Sequence, residues 1–135
     1  GVDISEYAIE NCHPKVKDFV SVIDDVEQVS GGWDLIIAKD VLEHTTKDLV
    51  SKVLEAFRTR TKQLFVAVPL GDGKRYRIRE YEMDVTHIIR EPEEWWLTTI
   101  VQAGFKIKFF DYQFHHVKEN WTNPHPHGNA FIVAE

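Results

Sequence analysis

Four carboxylates stand where short apolar stretches end. Asp3 follows Val2, Asp24 and Asp25 follow the run Phe-Val-Ser-Val-Ile at 19–23, and Asp40 comes just after the run at 33–38 that holds Leu35, Ile36 and Ile37. If those stretches are strands of an open parallel sheet, their carboxyl ends border the crevice where such sheets bind ligands. Any one of these acids reads equally well as a solvated loop end. Four along one rim are hard to explain as packing, so all four are candidate ligand-binding groups.

Lys74, Arg75, Arg77 and Arg79 alternate with Tyr76, Ile78 and Tyr81. One reading is a twisted, half-buried loop with its charges in water. The other is a set of arginines holding an anionic acceptor that carries phosphate or carboxylate. Both stay open. Among the seven histidines, His115, His116, His125 and His127 flank one loop. A zinc site needs three or four converging ligands, and His115 and His116 point to opposite faces if they lie in a strand. A solvated loop is the better reading there, and no metal is expected. Gly71-Asp72-Gly73-Lys74 lacks the upstream glycine and the following Ser or Thr of a phosphate loop, and no helix begins after it.

The elements that position these groups follow from pattern. Ser5 caps a helix from Glu6 to about Asn11, and Pro14 stops its continuation. Residues 19–23 read as a strand. The near-continuous apolar run at 33–38 suits a parallel strand covered on both faces. Thr45 or Thr46 caps a helix to about Arg60, with Leu49, Val50, Val53, Leu54 and Phe57 as its apolar stripe. Residues 64–68 form another buried-type strand, ended by Pro69. A long polar and aromatic loop runs from Gly71 to about Arg90. Pro92 opens a helix that Gly104 stops, and one of Trp95 and Trp96 is expected to be partly exposed. Residues 105–114 and 129–134 form a final antiparallel hairpin with a long connection. Alternating strands and helices imply a mostly parallel sheet with right-handed crossovers.

Composition bounds the rest. A chain of 135 residues, 43% apolar and 28% charged, suits one domain over 1–135 and one core. No apolar run approaches the roughly 20 residues of a membrane helix, and no signal peptide opens the chain, so a cytoplasmic location is expected. A net charge of −6 argues against a broad grip on nucleic acid. The single Cys12 excludes an internal disulfide framework.

Three segments together resemble the class I S-adenosylmethionine-dependent methyltransferases, of the type 11/23-like small-molecule kind. Gly1-Val2-Asp3-Ile4-Ser5 is similar to the end of that family's second strand. Trp33 through Lys39-Asp40-Val41-Leu42-Glu43-His44 is similar to its fourth strand and the turn after it. Thr86-His87-Ile88-Ile89-Arg90 through Trp95 to Ala103-Gly104-Phe105 resembles the stretch before its sixth strand. The resemblance implies a Rossmann-like α/β sandwich with a mostly parallel sheet and an antiparallel last strand between the fifth and sixth.

The resemblance also implies roles. Asp3, with Ile4 beside it, would bind the ribose hydroxyls of S-adenosylmethionine. Asp24 or Asp25 would face the adenine amino group, with Val26 against the ring. Asp40 and His44 would lie near the methyl group or acceptor, and His87 on the acceptor side. His44 or His87 would remove an acceptor proton. The reaction implied is methyl transfer to a small-molecule oxygen or nitrogen. The family's first strand and glycine-rich loop would lie upstream of Gly1, so this stretch alone is expected to bind the cofactor weakly or not at all. It would then be inactive or incomplete, or a non-catalytic methyltransferase-like binding or assembly module. With no central strand, the stub at 2–4 is expected to pair with the edge of 33–38, or with that edge in a second copy, as a homodimer.

Overall fold

The computed structural model describes all of residues 1–135. Its backbone gathers into two compact units, Gly1–Gly31 and Gly32–Glu135.

In the first unit, strand β1 (Val2–Asp3) pairs in parallel with β2 (Ser21–Val22), Val2 opposite Ser21 and Asp3 opposite Val22. Helix α1 (Glu6–Glu10) links them, capped by the Ser5 hydroxyl, which accepts from the Ala8 amide. The 3-10 turn Pro14–Phe19 follows, with the His13 imidazole as its cap. Two expectations change here. The strand read at 19–23 shrinks to two residues, because Pro14 fixes a helical φ and draws the chain through Phe19 into the 3-10 turn. The stub pairs with β2, which lies within the same unit, so neither the 33–38 edge nor a second copy is needed to hold it.

The second unit holds a four-stranded sheet in the order β3-β4-β6-β5. Strand β3 (Trp33–Lys39) runs parallel to β4 (Thr61–Pro69). Strand β6 (Asn129–Ala134) inserts antiparallel between β4 and β5 (Ile107–Asp111). This is the antiparallel finish that the resemblance implies. Strand β5 is shorter than the 105–114 expected. Asp111 accepts from the amides of Tyr112 and Gln113, which turns the chain, and Phe114 then packs on Phe65, Phe109 and Phe131.

One face of the sheet carries the core. Leu64, Val66, Val68, Ile132 and Ala134 alternate along β4 and β6 and are buried with Val50 and Leu54 of α2 (Lys47–Arg58) and Trp96 and Ile100 of α3 (Glu93–Gln102). Each fully buried side chain of this kind stabilises the fold by about 1.5–3 kcal/mol. Thr46 caps α2 through the Leu49 amide. Gly104 ends α3 at φ +92°, a left-handed turn that a glycine makes without strain. The Arg58 Nε donates to the Gly104 carbonyl and ties the two helix ends together. Trp96 is buried and Trp95 half-buried, as adjacent helical positions require.

The expectation of cover on both faces of β3 fails. Trp33, Leu35 and Ile37, which share a face, are 53%, 46% and 63% exposed. α2 and α3 lie on the opposite side with Ala38. Leu49 also leaves the α2 stripe for the surface. It adjoins Val50 in sequence and so points about 100° away from the buried line.

Candidate functional site

The chain turns sharply after β3. Asp40 takes a left-handed conformation, φ 52°, and a 3-10 turn at Leu42–His44 follows. Leu42 anchors the turn in the core. The Glu43 carbonyl then accepts from two successive amides, Ile88 at 2.8 Å and Ile89 at 3.1 Å. Those bonds fasten the 84–90 segment to the turn and bring His87 to His44, with ring centroids 4.6 Å apart.

Each imidazole is oriented through Nδ1. The Thr86 hydroxyl donates to Asp84 Oδ1 at 2.5 Å, so it accepts from His44 Nδ1–H at 2.8 Å. His87 Nδ1 lies 3.0 Å from the Tyr81 carbonyl, which can only accept, so that nitrogen also carries the proton. With Nδ1 so engaged, a neutral ring keeps its lone pair on Nε2. Tyr76 and Tyr81 pack edge-on against His87, and the Tyr76 hydroxyl donates to the Ile89 carbonyl.

Glu43 joins the pair. Its side chain is 1% exposed, and no neighbouring group hydrogen-bonds either carboxylate oxygen. Burial pushes its pKa up to about 7, and the nearby charge of Asp40 adds to the push. Glu43, His44 and His87 each place one potential ligand atom within 4.8 Å of the others. The sequence reading took Asp40 and His44 from this motif and passed over Glu43. The signal was a charged residue next to an apolar anchor, Leu42, in a turn too short to carry it to solvent.

Asp40 is held in place by cations. Its Oδ1 accepts from Lys118 Nζ at 2.5 Å and its Oδ2 from Lys39 Nζ at 2.6 Å. Burial raises its pKa, but the two ammonium groups outweigh it, and the net shift is downward. Lys118 also donates to Asn129 Oδ1, which accepts from the Tyr81 hydroxyl at 2.8 Å. The network therefore runs from the end of β3 through β6 to the hydroxyl of Tyr81, the residue whose carbonyl orients His87.

The first unit sets Asp3 and the Asp24-Asp25 pair after the carboxyl ends of adjacent parallel strands. Asp3 Oδ1 accepts from the Ser5 amide, which leaves Oδ2 open. Asp25 caps the turn Val26–Gln28 through the Glu27 amide. Ile4 is exposed and Val26 half-buried. No glycine-rich cradle accompanies these acids. The amides of Gly71, Asp72, Gly73, Lys74 and Arg75 already donate within their own turn or to 90–91, so Gly71–Gly73 offers an anion no free amide.

The arginines are dispersed. Tyr76 and Ile78 point inward while Arg75, Arg77 and Arg79 face outward. Arg77 is paired with Glu93 and donates to the His127 carbonyl, beside a shallow cavity of about 260 Å³ formed with 124–128. His115 and His116 share a turn with ring centroids 3.7 Å apart, not opposite faces of a strand, because β5 ends at Asp111. No helix is long and apolar enough to cross a membrane.

Strand order, the antiparallel insertion of β6 and the turn after β3 define a Rossmann-like fold of the class I S-adenosylmethionine-dependent methyltransferase kind. Solved structures share it. A methyltransferase of Archaeoglobus fulgidus is 17% identical, with a TM-score of 0.73 over 99% of this chain and 74% of that one. Magnesium protoporphyrin IX methyltransferase of Synechocystis PCC 6803 is 16% identical, TM-score 0.65, over 99% of this chain and 62% of that one. The cyclase SpnF is 13% identical, TM-score 0.70, over 100% of this chain and 65% of that one. The chain thus spans less than two thirds of the last two. At these identities the likeness is one of fold. No family model and no curated protein matches the sequence.

Proposed function

We propose that this chain belongs to an S-adenosylmethionine-dependent methyltransferase acting on a small-molecule oxygen or nitrogen. The observation that carries the reading is the meeting of His44 and His87 beside buried Glu43, on the fold those enzymes use. The cofactor supplies an electrophilic methyl group on a sulfonium. Asp3 accepts from ribose hydroxyls, Asp24 or Asp25 from the adenine amino group, and Val26 packs on the ring. His44 or His87 takes the acceptor proton on Nε2, held in line by Thr86 or the Tyr81 carbonyl. Alignment contributes more than covalent help in such a transfer. Arg75 and Arg79 favour an anionic acceptor. Self-association as a homodimer fits the apolar face of β3, and a monomer mass by light scattering would remove it.

The second reading is a non-catalytic methyltransferase-like module. It is favoured by the cyclase with the same fold, which shows that the fold hosts other work. The test is transfer from labelled donor across oxygen and nitrogen acceptors, with calorimetry of the cofactor alone. Weak or undetectable binding by the isolated chain is expected. Micromolar binding would overturn that expectation, and inactivity across acceptor classes with the natural upstream sequence present would favour the module.

A further inference from the structure

We infer that Glu43, His44 and His87 form a binding site for a first-row divalent cation of the zinc or iron(II) class. Four observations converge on it. The donor set is two imidazoles and one carboxylate, which suits those ions. One ligand atom of each lies within 4.8 Å of the others. Metal–nitrogen bonds of roughly 2.1 Å put tetrahedral ligand atoms roughly 3.4 Å apart, so binding draws each atom inward by about 1 Å or less. Both Nδ1 atoms are engaged, by Thr86 and by the Tyr81 carbonyl. That is the outer support which turns an imidazole's Nε2 toward a metal.

The fourth observation is the orphaned acid. Glu43 is 1% exposed and no other residue donates to either oxygen, with only its own backbone amide beside the carboxylate. A buried carboxylate without a partner is costly, and a cation supplies what no side chain does. Asp84 Oδ2 lies 3.7 Å from His87 Nε2 but outside the group of mutually close ligand atoms, and His44 is half-buried, which leaves a way in. The other imidazole–carboxylate group, His115, His116 and Glu119, lies at the surface. Its Glu119 Oε1 already accepts from the His116 amide at 2.9 Å.

The site stands on these contacts alone; a bound metal would occupy the Nε2 lone pairs that the proposed base needs, so the two roles exclude one another, and the test reads metal alone. Zinc(II) is titrated by calorimetry into chelator-stripped protein, alongside Glu43→Gln and a His115→Ala/His116→Ala double variant. Circular dichroism checks that each is folded. Expected are one equivalent bound with micromolar affinity or better, affinity weakened more than about 100-fold in Glu43→Gln, and no change in the double variant. Absence of binding overturns the inference. So does binding that survives Glu43→Gln and disappears with His115 and His116. If Glu43→Gln proves unfolded, cobalt(II) absorption bands in the unmodified protein report the ligands instead, and a spectrum of hexaaqua type overturns the site.

Discussion

His44 and His87 lie with ring centroids 4.6 Å apart, and the two rings are oriented from the same loop, one by Thr86 and the other by Tyr81. His44 is placed by a residue 42 positions away in sequence, whereas His87 takes its orientation from six residues back in its own loop. The loop is fastened to the turn after β3 by two amide bonds to the Glu43 carbonyl. On the proposed function, proton transfer to either Nε2 would depend on Thr86 and Tyr81, which orient the rings. Replacing His44 or His87 by Asn should lower methyl transfer by about 100-fold or more with the fold intact, read as turnover against a circular dichroism control. Undiminished turnover in both variants would exclude a base at this site.

Lys118 links Asp40, Asn129 and the ring of Tyr81, and its side chain is 8% exposed. Lys118→Met should cost about 2–3 kcal/mol in urea unfolding, because Asp40 and Asn129 each lose a donor in a largely buried place. Adding Asp40→Asn should cost less than the sum of the two single changes. Strict additivity would mean that the pair does not interact.

Gly128 lies against Ile78. A Cβ there would stand 2.3 Å from Ile78 Cγ1 and 2.4 Å from Cδ1, and Ile78 is fully buried. Gly128→Ala should destabilise by about 1–3 kcal/mol. In an Ile78→Ala background the same change should cost little. A thermal midpoint unchanged by Gly128→Ala alone would contradict this packing.

Glu93 gives the acid limb a specific source. Burial raises its pKa, but hydrogen bonds from Tyr112 and Arg77 outweigh that, and the net shift is below its usual value of 4.5. Its contribution is present above the unfolded pKa and is lost as pH falls through the lower folded one. Glu93→Gln should flatten the decline in urea midpoint below about pH 4.5, where the unfolded carboxylate begins to take up protons. An unchanged slope would show that the carboxylate is not differentially bound in the fold.

Amide exchange should divide the chain. The amides of β4 and β6, paired on both sides and buried, should be the slowest. The first unit contains no buried residue, so β1 and β2 should exchange far faster. Equal protection would contradict this order.

Much of this was legible because it is local. Thr46, Pro92 and Gly104 mark helix ends through backbone chemistry that neighbours rarely override, and the strand expected at 129–134 matches β6 to the residue. The strand expected at 19–23 was lost to the helical φ of Pro14. The cover expected over Leu35 and Ile37 was inferred from apolarity, which says that a face wants burial and not that it receives it. Glu43 was illegible for the opposite reason. A glutamate reads as surface, and only the packing of Leu42 and the 84–90 segment drives it inward. His87 was named by resemblance, and its partner Tyr81 lies on a segment that sequence alone showed only as loop.

Strand β6, made after every other strand, sits in the middle of the sheet between β4 and β5. Until those residues leave the ribosome, the inner edge of β4 has no neighbour. The emerging chain thus carries β4 with β3 on one side and an open edge on the other until β6 follows. Chaperone capture during translation, and sensitivity to pauses near the codons for 129–134, follow from that placement.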